Sequence, residues 1–241
     1  MAESGSAQES LGERFANIRG RINRALEHSH RQHGDVTLIA ISKTHPAAII
    51  QDLIALGAED LGENKVQEAE TKIPQVGRNK VRWHLVGHLQ ANKARRAVKL
   101  FDVIHSLDSV ELARRLDRLC VEEEVPSLSV LIQVDLGLEQ TKSGVLESDL
   151  ERLASEVGKC ERLKLIGLMT LPPFFDNAED TRPFFSKLRE LRDGVAGDGL
   201  FANGTGDLSM GMTHDFEIAI EEGATMVRIG TAIFGERLSP R

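Results

Sequence analysis

Short apolar runs recur along this chain, and nearly every one is followed by a stretch with helical spacing. No other feature constrains the fold as much. The first run, residues 36–42, is apolar on both of its faces, as suits a strand buried on both sides of a parallel sheet. Further strand-like runs follow at 59–63, 81–87, 101–105, 128–134, 163–169, 207–210 and 225–229. Helical spacing is read at 47–56 and 64–73, in a helix ending near Leu100, and at 109–124, 147–157, 181–192 and 215–222. Pro74 and Gly77 are expected to break the second of these helices. Strands alternating with helices predict a parallel α/β fold. Eight such units, with no G-x-G-x-x-G after the first run, favour a single closed (β/α)8 TIM-type barrel over an open dinucleotide-binding sheet.

The eighth strand lacks a following helix in this reading. Leu11, Phe15, Ile18, Ile22 and Leu26 share one face of an N-terminal helix that runs to about residue 31 and stops before Gly34. That helix is expected to close the outer ring. Residues 1–10 read as a loose, polar tail with neither the basic n-region nor the apolar h-region of a signal peptide. No run approaches the roughly 20 apolar residues of a membrane span. Residues 11–241 are therefore read as one barrel domain.

Composition narrows the function. The net charge of −7 argues against a mainly polyanion-binding protein, so no nucleic-acid partner is expected. The stretch between Gln75 and Phe101 has no acidic residue and holds Arg78, Lys80, Arg82, Lys93, Arg95, Arg96 and Lys99. It reads as the solvated face of a helix and its flanks. Cys120 and Cys160 lack C-x-x-C spacing, which argues against zinc or redox pairing. Both are placed in amphipathic helices, as buried or spare thiols in a reducing, cytoplasmic setting. There is no tyrosine in the chain, so none can act as an acid or base.

A TIM-type barrel carries its site at the C-terminal ends of its strands. Lys43 directly follows the first run. Burial there would lower its pKa and free a neutral amine for Schiff-base chemistry; a lysine that merely snorkels to solvent is the plainer reading. Ser209, Gly211 and Thr213 follow the seventh run, and Arg228, Gly230 and Thr231 the eighth. Phosphate sites in such barrels often use these two loops. The glycines allow close backbone approach, the hydroxyls donate, and Thr213 reads as the N-cap of the next helix. Amine plus phosphate points to pyridoxal 5′-phosphate (PLP). Asn64, after the second run, is placed to meet a ring substituent, and Arg228 to meet either the pyridine nitrogen or the phosphate. His84 and His88 straddle the third strand end, where their spacing gives no shared helical face for a metal. His45, His105 and His214 also fall near strand ends, with no carboxylate partner visible in sequence.

Several segments resemble one family. They are Ile39-Ala-Ile-Ser-Lys-Thr-His-Pro46, Leu61-Gly-Glu-Asn-Lys-Val-Gln-Glu68, Trp83-His-Leu-Val-Gly-His-Leu-Gln-Ala-Asn-Lys93, Lys142-Ser-Gly144, Gly167-Leu-Met-Thr170, Leu208-Ser-Met-Gly-Met212 and Val227-Arg-Ile-Gly-Thr-Ala-Ile-Phe-Gly235. In order, over about residues 11–237, they are similar to the pyridoxal phosphate homeostasis protein family. The resemblance implies the PLP fold type III barrel of alanine racemase without its second domain, for which this chain is too short. It implies Lys43 as the Schiff-base lysine. It implies cofactor-binding roles for Asn64, Ser209, Thr213, Arg228, Gly230 and Thr231. A cofactor carrier or regulator without robust turnover follows from it, with PLP-dependent apoenzymes as recipients and a monomer or weak dimer as the form. The alternatives are a racemase-like PLP enzyme, whose relative uses a tyrosine that this chain lacks, and a phosphate-binding barrel enzyme without PLP. Thr213 stands where many relatives carry serine, and Asp135 where asparagine is usual.

Overall fold

Each strand-like run is a strand of one closed parallel barrel in the computed structural model, which describes residues 9–137 and 143–235. The strands are β1 (Thr37–Ile41), β2 (Asp60–Glu63), β3 (Arg82–Leu85), β4 (Val103–Leu107), β5 (Leu128–Gln133), β6 (Leu163–Met169), β7 (Asp207–Ser209) and β8 (Met226–Ile229). They pair in chain order, and β8 closes on β1 with Ile39 opposite Arg228. Around them lie α1 (Leu11–His28), α2 (Ala47–Ala55), α3 (Val66–Val76), α4 (Ala94–Leu100), α5 (Val110–Glu122), α6 (Glu147–Gly158), α7 (Arg182–Gly197), α8 (Phe216–Glu221) and the short α9 (Thr231–Phe234).

Burial has two layers. Between barrel and helices, Ala40, Leu61, Trp83, Leu85, Ile104 and Val227 face buried helix residues such as Ile50, Ile73 and Leu116. Inside the barrel, Ile39, Ile41, Val86, Val103, Leu131, Met169 and Met226 form a separate apolar cluster. Alternation along the strands divides their side chains between these layers, with a register shift in β4 between Ile104 and Leu107.

The N-terminal helix closes the ring, packing against α8, α9 and α2. Ser10 and Glu13 form a capping box at its start. The guanidinium of Arg14 donates to the carbonyl of Ile233 at 2.7 Å, and that of Arg21 to Glu217 at 2.6 Å. The helix ends at His28, earlier than its apolar spacing suggests. Ser29 Oγ donates to the Ala25 carbonyl at 2.5 Å, and His30 takes a left-handed φ of 54°. Of the tail expected over 1–10, residues 1–8 lie outside the described residues, as does Lys142.

Other boundaries also move. Pro74 does not break α3, which runs on to Val76. In the last turn a proline removes only one helical N–H, and Ile73 and Val76 are both buried against the barrel. β4 lies two residues later than expected. Phe101 instead ends α4 in an extended conformation with its ring in the outer layer. His105 is therefore in mid-strand rather than at a strand end. The helix after β7 starts at Phe216 with Asp215 at the cap position, so Thr213 is not its N-cap. Cys160 lies beyond α6 and is half-buried, while Cys120 is buried within α5.

The basic stretch is a solvated face, as expected, with Arg95, Arg96 and Lys99 each more than half exposed, and several of its charges are paired there. Arg78 binds Asp102 at 2.7 Å, Arg96 binds Glu70 at 2.9 Å, and Arg95 and Lys99 both bind Glu123. No helix among the described residues is long and apolar enough to cross a membrane.

Candidate functional site

A cavity of about 550 Å³ opens at the C-terminal end of the barrel. Lys43, Asn64, Thr213, Arg228, Gly230 and Thr231 all line it. They come from the ends of β1, β2, β7 and β8, far apart in sequence. Its opposite wall, after β6, is apolar: Leu171, Pro172, Pro173, Phe174 and Phe175. The histidines His45 and His214 also reach the cavity, His45 stacked on Phe234 and His214 tilted against Phe174. Ser209 is not in the lining. It is fully buried one layer down, where its Oγ accepts from Arg228 Nη1 at 2.6 Å. Asp135 is half-buried, and the cavity lining does not include it.

The loop that carries Lys43 is held from beneath. Lys72, on α3, is buried, and its Nζ donates to the Ser42 carbonyl at 2.8 Å, to Glu63 Oε1 at 2.6 Å and to Glu68 Oε1 at 2.8 Å. Ser42 Oγ donates to Glu63 Oε1 at 2.7 Å, and the Thr44 amide donates to Glu68. Thr44 is forced to a φ of 68°, a costly region for a β-branched residue and one that clusters at functional sites. Burial pushes the Glu63 carboxyl above its usual range, although Lys72 and Ser42 pull the other way. Nothing in the sequence pattern singled out this cluster.

Asn64 is set by close packing. A Cβ on Gly87 would lie 2.2 Å from the Asn64 carbonyl oxygen, so only glycine lets β3 approach there. On the far side Gly211, at φ 92°, turns the chain after β7 under Ala219. Arg228 is fully buried at the cavity floor, its Nη2 donating to the Thr170 carbonyl at 2.9 Å. Burial lowers its pKa to about 10, and the nearby Asp215 carboxylate partly offsets this. At neutral pH it is still a guanidinium. The amides of Thr231 and Ala232 open α9, while those of Ile233 and Phe234 donate to the Gly230 carbonyl.

His84 and His105 are buried inside the barrel and hydrogen-bonded to each other. His84 Nε2 lies 2.8 Å from Asp60 Oδ1, and His84 Nδ1 lies 2.8 Å from His105 Nε2. His105 Nδ1 lies 2.9 Å from Ser209 Oγ. His88 points elsewhere, to Asp108 at 3.3 Å, so it shares no site with His84. Desolvation lowers the pKa of His84, and lowers that of His105 much further, where His84 and Arg228 add to it.

Comparison with known proteins identifies the family. The profile of the alanine racemase N-terminal domain matches residues 15–238. A pyridoxal phosphate homeostasis protein of Aquifex aeolicus is 41% identical over 93% of this chain and 97% of its own length. The protein of the same name from Escherichia coli is 39% identical over 94% and 97%. This chain belongs to the pyridoxal phosphate homeostasis protein family. Among solved structures, PipY of Synechococcus elongatus with PLP bound superposes with a TM-score of 0.82 at 36% identity, over 94% of this chain and all of that one. Alanine racemase of Corynebacterium glutamicum shares the fold, with a TM-score of 0.70 at 17% identity, over 94% of this chain and 64% of that one. The closed barrel is thus a fold shared with solved structures of related proteins.

Proposed function

We propose that this chain binds PLP at the barrel mouth and serves PLP homeostasis as a cofactor carrier or regulator, without robust catalytic turnover. One observation carries the reading: Lys43 shares a single cavity with Thr213, Arg228, Gly230 and Thr231. When bound, the cofactor supplies an aldehyde that a lysine amine can hold as a Schiff base, and Lys43 is the residue proposed to hold it. The donor set facing Lys43 suits a phosphate: two threonine hydroxyls, the opening amides of α9 and a buried guanidinium. Asn64 is placed to hydrogen-bond a ring substituent. Ser209 acts one step back, through Arg228. If Arg228 faces the pyridine nitrogen, it keeps that nitrogen unprotonated by charge repulsion, which suits storage better than carbanion chemistry.

The names of the relatives support a homeostasis role, and the bound PLP in the PipY structure supports the ligand. The chain contains no tyrosine, which favours holding the cofactor over two-base racemisation. We take residues 11–241 as one cofactor-binding domain. Its recipients are proposed to be PLP-dependent apoenzymes, in a reducing cytoplasm that suits the two free thiols.

The test is borohydride reduction of the PLP-treated protein, followed by peptide mapping. Label confined to Lys43, and lost in Lys43→Ala, is the expected result. Label elsewhere, or no label, overturns the assignment. Transfer of PLP to an apoenzyme faster than free diffusion delivers it is expected of a carrier; transfer no faster would reject that role.

A further inference from the structure

A buried polar chain crosses the barrel interior from the base to the cavity floor. It starts at Arg82, whose Nε donates to Asp60 Oδ1 at 2.5 Å. From Asp60 it passes through His84, His105 and Ser209 to Arg228, every link between 2.6 and 2.9 Å. These five side chains come from β2, β3, β4, β7 and β8, and each is at most 5% exposed. A line of polar groups inside an otherwise apolar barrel is costly unless every donor meets an acceptor.

Hydrogen-bond counting gives this chain one direction. An ionised carboxylate only accepts. Asp60 is held below its usual pKa because the bonds from His84 and Arg82 outweigh the opposing effect of burial. His84 therefore carries its proton on Nε2. A neutral ring then leaves Nδ1 bare, so that atom must accept from His105 Nε2–H. His105 Nδ1 is bare in turn and accepts the hydroxyl proton of Ser209. With its only proton directed at His105, Ser209 turns its oxygen lone pairs to Arg228.

We propose that Asp60, His84 and His105 are positioning residues for Arg228. The charge on Asp60 sets both rings as Nε2–H tautomers and commits the Ser209 hydroxyl, so that Ser209 Oγ and the Thr170 carbonyl together hold the guanidinium at the cavity floor. In this arrangement Ser209 has no proton left for a cofactor phosphate. Its contribution to binding runs through Arg228. This inference rests on the PLP reading only for its effect on the cofactor. The proton order within the chain stands apart from it.

Two experiments test it. Long-range proton–nitrogen NMR spectra of the histidine rings in the protein without PLP, at neutral pH, are expected to show both His84 and His105 neutral with the proton on Nε2. Either ring as an imidazolium, or with its proton on Nδ1, overturns the chain. The second compares His105→Gln with His105→Leu. Glutamine keeps one acceptor for Ser209 and one donor for His84, whereas leucine keeps only bulk. PLP affinity, read from the absorption band of the lysine-bound cofactor, is expected to fall about tenfold in His105→Leu, as for loss of one hydrogen bond to a charged group, and to be largely kept in His105→Gln. Equal affinities in the two variants, or a leucine variant that binds like wild type, overturn the positioning role. If either variant fails to fold, the wild-type ring spectra still decide. If wild type takes up no PLP, the functional reading fails while the spectra still report on the chain.

Discussion

Replacing Lys72 by methionine probes the base of the Lys43 loop. Methionine has similar length and suits a buried site, so the change removes the ammonium with little loss of volume. The structure sets the cost. Lys72 Nζ lies 2.6 Å from the fully buried Glu63 and 2.8 Å from both Glu68 and the Ser42 carbonyl. Removing one partner of a buried pair strands the other, at about 3–5 kcal/mol. For a domain of this size that corresponds to a melting point lower by roughly 6–20 °C. Glu63 also sets the pH dependence. Its folded pKa is raised above the unfolded value of about 4.3. Its contribution is therefore present below that pH and is lost as pH rises through the folded pKa. Without Lys72 the folded pKa climbs further, so the deficit of Lys72→Met should be smaller at pH 5 than at pH 8. Adding Glu63→Gln removes the stranded charge and should restore much of the loss. Urea unfolding of both variants at the two pH values is the assay. A single variant within about 1 kcal/mol of wild type, or a double variant no more stable than the single, would refute the ion-pair reasoning. PLP binding should weaken in parallel, because Ser42 and Thr44 lose their anchors.

Three further outcomes follow from the geometry. Gly211→Ala should destabilise by about 2–4 kcal/mol in urea melts, since φ is 92° and the new Cβ would sit 2.6 Å from that of Ala219; an unchanged midpoint would contradict it. His84 and His105 have depressed folded pKa values, so their contribution is complete above the unfolded value near 6.5 and is lost as pH falls below it, by up to about 1.4 kcal/mol per pH unit for each ring. The stability difference between wild type and His105→Gln should narrow accordingly from pH 7.5 to pH 5.5, and a difference independent of pH would reject this. Burial raises both thiols to about 11, so reaction with a disulfide reagent at pH 8 should be at least about tenfold slower in the native protein than in urea. Equal rates would show the thiols to be open.

Much of the site was legible because its residues sit at strand ends, and strand ends can be found from apolar runs. Lys43, Asn64, Thr213, Arg228, Gly230 and Thr231 each follow or close such a run, and one cavity gathers all six. Ser209 was found by the same rule but lies below the cavity, because β7 stops at Ser209 and its side chain turns inward to Arg228. The apolar wall at Leu171, Pro172, Pro173 and Phe174 carries no periodicity, since two prolines interrupt it. Phe101 resembles the start of a strand, which would put His105 at a strand end, but the fold uses the Phe101 ring to close α4.

Eight apolar runs alternating with amphipathic helices already dictate the closed parallel architecture. That signal is local, since each segment must bury a face whatever its neighbours are. Which polar groups meet inside depends on how the strands register and close. In a parallel barrel both faces of a strand are buried, so alternation says that Gly62 and His84 differ from Leu61 and Trp83 but not which side is the interior. Asp60, His84, His105, Ser209 and Arg228 become one chain only when five strands set them side by side. Lys72 likewise reads as an ordinary surface lysine of a helix until Glu63 and the Ser42 carbonyl come within hydrogen-bond reach. Register and closure, which exist only in three dimensions, bring those scattered polar residues into hydrogen-bond reach of one another.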